Sequence, residues 1–187
     1  MNEVICTAED LNIPVYFQDT DSIHIHLSRI EELANEFEAR YHRPLIGKAL
    51  GQMHCDFMSF GSTNEMPVAI RSIFVMKKTY IDQLKNSCDE VAFHTRCKGI
   101  PSDVIVKRAN ELFPQDIQCV YQDGLAYPIP SVWGNDEYSV YHLYHELYDG
   151  KAIEFDLCKS EKPMFELKDF QVSTKDSFIR RISLSDS

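Results

Sequence analysis

Apolar positions recur along this chain with two periods, and the switch between them predicts the elements. Val4, Ile5, Ala8 and Leu11 fall at near-helical spacing, so Met1 to Leu11 read as the end of a helix that starts further upstream. Asn12-Ile13-Pro14 closes it. Val15 to Phe17 and Ile23 to Leu27 are β-branched, aromatic or alternating runs, which favour strands. Ser28 followed three places later by Glu31 has the form of a capping box, and Ile30, Leu33, Ala34 and Phe37 then mark one face of a helix from about Arg29 to Tyr41. Periodicity is weak from Leu45 to Phe60, although Met53, Cys55 and Phe57 alternate as a strand would.

The second half is patterned less evenly. Val68 to Met76 is nearly continuous apolar and predicts a buried central strand, with Val91 to Cys97 returning after a turn at Asn86 to Asp89. Val104, Ile105, Ala109, Leu112 and Phe113 predict a helix capped by Ser102 or Asp103, with Lys107 and Arg108 on its other side. Gln115 to Trp133 reads as loop, with a turn at Asp123-Gly124. Glu137 to Tyr148 predicts a helix stopped by Gly150, and short strands are expected at Ile153 to Leu157, at Phe165 to Leu167 and around Phe178. The whole predicts an α+β fold.

Between the first two strands stands Asp19-Thr20-Asp21-Ser22. Short Asp, Thr and Ser side chains bond their own backbone and favour tight turns, so the stretch reads as a β-hairpin with two carboxylates at its tip. Residues two apart on an extended strand lie roughly 6–7 Å apart, and a turn brings their side chains closer. Two unpaired carboxylates there repel each other, and a divalent cation with oxygen ligands is their natural partner.

Composition narrows the classes. With 44% hydrophobic residues and 11% aromatics, the 187-residue chain can build a core. Cys6, Cys55, Cys88, Cys97, Cys119 and Cys158 include no Cys-x-x-Cys pair, which argues against a zinc site and for reduced thiols in an intracellular compartment. No membrane span or signal peptide is expected. A net charge of −10 argues against nucleic acid, but the charge is uneven. Arg71 to Arg108 holds eight Lys/Arg against four Asp/Glu, whereas 109–170 holds twelve Asp/Glu against four Lys. A locally basic surface can grip phosphates while the remainder stays acidic.

The hairpin resembles motif C of family B DNA polymerases on Asp19, Thr20, Asp21 and Ser22, with Phe17 where the family carries a tyrosine. Lys78-Thr79-Tyr80 resembles the family's Lys-x-Tyr motif, and Lys98-Gly99-Ile100 resembles the palm-to-thumb passage of its protein-primed branch, found in viruses, linear plasmids and Maverick/Polinton-like mobile elements. The resemblance implies a palm-type antiparallel sheet carrying the motif C hairpin and backed by helices over residues 1–100. It implies a small α+β thumb-like lobe over 101–187. It further implies two-metal nucleotidyl transfer with Mg2+, Asp19 and Asp21 as catalytic and metal-binding carboxylates, and Lys77, Lys78, Tyr80, Lys98 and Gly99 as DNA contacts. Asp21 would bridge the two ions.

Motif A, motif B and the exonuclease acidic set of that family do not occur in these residues. The expectation is therefore a C-terminal polymerase portion that does not polymerise alone. Its partners would be primer-template DNA, a dNTP and a terminal priming protein or the missing N-terminal portion. The alternative is an inactive remnant that binds DNA or a protein.

Other chemistry-bearing residues read more plainly. His24 and His26 are expected to face solvent from one strand. His142, His145 and Glu146 do not form the His-Glu-x-x-His pattern and read as a polar helix face, while Tyr138, Tyr141, Tyr144 and Tyr148 read as a core stripe. Gly47-Lys48 lacks the other residues of a phosphate loop, and Arg180-Arg181 reads as a solvated face.

Overall fold

The β1–β2 hairpin, Val15–Asp19 and Ser22–Ile25, lies between two helices and a larger sheet, in a computed structural model that describes residues 1–130 and 137–157. Helices α1 (Asn2–Asp10) and α2 (Ile30–Tyr41) cover one hairpin face. Val4, Ala8, Ile13, Leu33, Phe37 and Leu45 are buried there, with Val15, Ile23 and Ile25 packed against them. Arg40 reaches Asp10 and Arg43 reaches Glu3, tying the two helices together at the surface.

The other hairpin face looks onto a five-stranded antiparallel sheet of order β3-β4-β5-β7-β6. Its strands are β3 (Val68–Met76), β4 (Thr79–Lys85), β5 (Val91–Arg96), β6 (Cys119–Gln122) and β7 (Leu125–Pro128). Helices α3 (Ser102–Leu112) and α4 (Ser139–Tyr148) back its far side. The main core lies between them and includes Ile73, Ile81, Phe93, Ile105, Val140 and Tyr144. The fold is α+β. The sheet and this core continue across residue 100, since β5 pairs with β7 through Phe93 and Ala126. None of the described helices is long and apolar enough to cross a membrane.

Several expectations are corrected. Val68–Met76 is an edge strand, with Val68, Ala69, Ile70 and Arg71 exposed. A continuous apolar run does not distinguish burial on both faces from a sheet edge. β4, by contrast, is enclosed between β3 and β5, and its Asp82 and Gln83 hide it from a hydrophobic reading although both are buried. Gln115 to Trp133 holds the β6–β7 hairpin around Asp123-Gly124, because Cys119, Leu125 and Ala126 bury in strands only four residues long. Met53 forms a lone bridge with Ile46, and no strand follows at Cys55 or Phe57. Ile153 and Phe155 pack on the main core without pairing as a strand. The strands expected at Phe165 to Leu167 and near Phe178, and Arg180-Arg181, lie outside the described residues.

The helix ends also differ in detail. Ser28 sits in a 3-10 turn, Leu27–Arg29, where its Oγ lies 2.8 Å from His26 Nδ1, so the capping box does not form. Helix α3 has Pro101 at its N-cap and no side-chain cap; the Ser102 hydroxyl donates to the Thr95 carbonyl at 3.0 Å. Tyr141 and Tyr144 are buried as a core stripe predicts, while Tyr148 is exposed.

The Asp123-Gly124 turn has positive φ at both positions, 48° and 92°. Asp tolerates that conformation and glycine adopts it freely. Gly124→Ala is expected to cost about 1 kcal/mol, read as a lower urea midpoint with an unchanged slope.

Candidate functional site

A one-residue irregularity decides where the hairpin points its side chains. Val15 pairs with Ile25, but Phe17 pairs with His24, so β1 carries an extra residue between them. A bulge of this kind reverses the in-out alternation downstream. Val15 therefore packs with the helices, while Phe17 turns to the sheet and stacks on Phe74, with ring centroids 4.5 Å apart and planes 4° apart. Asp19, two residues on, lies on the Phe17 side.

The tip is a two-residue turn closed by the Asp19–Ser22 pair. Thr20 has φ of 52°, and it is the one β-branched residue among the described non-glycine residues with positive φ. Such a conformation is costly for a branched side chain, and costs of this kind cluster at functional sites. Local bonds hold it: Thr20 Oγ1 donates to Asp19 Oδ1 at 3.2 Å, and Ser22 Oγ donates to the Asp19 carbonyl at 3.0 Å. Asp21 is exposed at the outer end of the turn.

The second carboxylate oxygen of Asp19 reaches the other sheet. Asp19 Oδ2 accepts the backbone N–H of Lys78 at 3.1 Å, joining positions 59 apart in sequence. Lys77 and Lys78 form the exposed β3–β4 turn, in which Lys78 itself has φ of 62°. They end an edge strand rather than the buried central strand that the sequence predicts. The Cys97 to Ile100 turn lies at the same sheet end. Lys98 N–H meets the Thr79 hydroxyl at 3.5 Å, and Gly99 is exposed with φ of 77°. The structure thus sets Asp19 beside the lysine turn, with Lys98 across from the start of β4.

Tyr80 stands differently from the lysines. Its half-buried ring belongs to the aromatic layer under the hairpin, 5.2 Å from Phe17 and 5.8 Å from His94 between centroids. Burial, with Asp82 nearby, pushes its hydroxyl pKa up, so it stays neutral.

Sequence reasoning missed the polar centre of that layer. Asp82 is fully buried on β4. Its Oδ1 accepts the Ser72 hydroxyl at 2.7 Å and lies 3.4 Å from His24 Nε2; its Oδ2 lies 3.3 Å from His94 Nδ1. Burial alone would raise this carboxyl, but the contacts with His24, His94 and Ser72 outweigh it and hold the pKa at about 2. His24 is therefore not solvent-facing; His26 is. An isolated Asp in a strand gives no sequence signal of a partner, and the two histidines come from different strands. Elsewhere, His142 is drawn from the expected polar face to Asp116, at 2.7 Å, and stacks on Phe113.

No protein-family model, no curated protein and no solved structure matches this chain. The site's chemistry therefore rests on its own donors. Asp19 and Asp21 offer hard oxygen ligands, the kind that suits Mg2+. Each Asp19 oxygen already accepts one hydrogen bond and keeps lone-pair capacity. No group of three or more His, Cys, Asp or Glu able to hold a metal occurs among the described residues. Two carboxylates do not complete a coordination shell, so any divalent ion here would need further oxygens from water, phosphate or another polypeptide.

Proposed function

We propose that this chain is the C-terminal palm and thumb portion of a family B DNA polymerase of the protein-primed type, and that Asp19 and Asp21 are its surviving metal-binding carboxylates. The observation that carries the reading is the hydrogen bond from Lys78 N–H to Asp19. It places the acidic turn against the lysine turn, as a site would need if it held a cation and a primer phosphate together. The unfavourable backbone of Thr20 supports the reading, since such a turn persists only where its surroundings enforce it.

In this reading Asp19 and Asp21 would hold Mg2+ with help from a motif A carboxylate supplied from outside these residues. When bound, the metal lowers the pKa of the primer hydroxyl and offsets charge on the triphosphate. The chain's own contributions are simpler. Asp19 is oriented by Thr20 and Lys78. Lys77, Lys78 and Lys98 attract backbone phosphates at one sheet end, and positive φ at Gly99 allows a strand to approach closely. Tyr80, half-buried in the aromatic layer under the hairpin, supports it from below.

Manganese tests the assignment. Paramagnetic Mn2+ is expected to broaden the amide signals of Asp19 to Ser22 in the purified chain, and Asp19→Asn with Asp21→Asn is expected to abolish the effect. Primer extension by the chain alone is expected to give no incorporation, and templated incorporation would refute the division of the site between two portions. DNA binding without any manganese response would instead favour an inactive remnant.

A further inference from the structure

The hairpin and the five-stranded sheet are separate sheets with no ladder between them. What joins them is mostly aromatic. Phe17 stacks on Phe74, and His24 meets Phe74 and Tyr80 edge to face. Ring packing of this sort favours stacked or edge-to-face geometry but fixes lateral position less closely than a hydrogen bond, because the burial that drives it is non-directional. Polar contacts between the layers set their alignment. Asp19 meets Lys78 at the tip, and His24 meets Asp82 further in.

We propose that Asp82 is a positioning residue, which by holding His24 pins the β1–β2 hairpin to the sheet and fixes where Asp19 stands relative to Lys78.

The geometry favours Asp82 as the anchor. It sits on β4, the strand enclosed between β3 and β5, directly opposite His94 in the ladder. Ser72 on β3 and His94 on β5 brace the carboxylate from both neighbouring strands. His24 alone comes from the hairpin. Its Nδ1 is buried without a partner, so the ring is held through Nε2. A buried carboxylate is costly unless paired, so moving the hairpin away would leave Asp82 with one contact fewer in a dry place. The pin therefore resists both sliding and lifting. His24 and Asp19 lie on the same hairpin face, so the alignment set at His24 carries along a short strand pair to the tip.

The functional meaning of the pin rests on the polymerase reading; its mechanical action does not. Amide hydrogen exchange on the full 187-residue chain separates them. Lys78 N–H reports the Asp19 contact, while Leu84 and Phe93 report the sheet. His24→Ala and Asp82→Asn are expected to speed Lys78 exchange at least about tenfold while Leu84 and Phe93 stay within about twofold. His24→Gln, which keeps an N–H donor of similar reach, is expected to restore most of the protection. Unchanged Lys78 exchange in both variants overturns the proposal. So does a rise shared equally by Leu84 and Phe93, or a glutamine variant that behaves like alanine. If Asp82→Asn does not fold, the two His24 variants decide, since they leave the sheet core intact. A missing manganese response in the wild type would count against the polymerase reading and leave the pin standing.

Discussion

Phe93→Ala is expected to destabilise the chain by about 3–5 kcal/mol, the usual cost of emptying a large buried ring site. Phe93 is fully buried at the middle of β5, where it packs against Tyr138 and Tyr141 and pairs with both Gln83 and Ala126. It therefore touches the strand before it in the sheet, the strand after it and the α4 layer at once. These neighbours come from widely separated segments, so they cannot collapse into the space without breaking the sheet. For a chain of this size the loss corresponds to a fall in Tm of about 6–20 °C. Thermal and urea unfolding would show it, with Val120→Ala as a control. Val120 is 48% exposed on β6, and its truncation is expected to change stability by no more than about 0.5 kcal/mol. Equal effects at the two positions would mean that the core does not run through Phe93.

The second large effect concerns acid. The Asp82 carboxyl is held at about 2, below its ordinary value of 3.8. A depressed carboxylate contributes stability that is complete above the unfolded value and disappears as pH falls through the folded one. The window is therefore roughly pH 4 down to pH 2, and the contribution lost across it is about 2 kcal/mol. Glu90, held down by Asn86, and Glu146, held down by Lys151, act in the same direction from the surface. Urea unfolding at pH 5 and pH 2 should thus be compared between wild type and Asp82→Asn. The variant starts less stable, but its loss on acidification is expected to be smaller by about that amount. Parallel pH profiles would show that Asp82 is not the group titrating.

The hairpin and its acidic tip were legible because turn chemistry and alternation agree there. Asp, Thr and Ser favour the reversal, and apolar residues flank it on both sides. Helices α2, α3 and α4 were legible for a similar reason, since each shows one apolar face several turns long. Strand rank in the sheet was not legible. Val68 to Met76 is more apolar than Thr79 to Lys85, yet the second is the enclosed strand, because Asp82 and Gln83 are buried in spite of their chemistry. A polar residue buried with partners from other strands leaves no mark on local hydropathy. The same blindness hides His24, whose alternating strand position suggests solvent while its partner lies 58 positions away. The short β6–β7 strands were obscured by Pro128 and by their length, although the turn between them was evident. At the candidate site, the sequence supplied the residue types, and the fold supplied the contact between Asp19 and Lys78.

The extra residue in β1 gives the chain a dependence on count rather than identity. Side chains along a strand obey an odd-even rule, and the bulge shifts that parity once, between the helix-facing Val15 and the sheet-facing Phe17. Removing that one residue would leave Phe17, Asp19 and Thr20 in the chain and yet swing the carboxylate of Asp19 toward the helices, away from the lysines. Tyr16 is exposed, so its presence matters more than its identity: an insertion or deletion at that point would part Asp19 from the lysine turn.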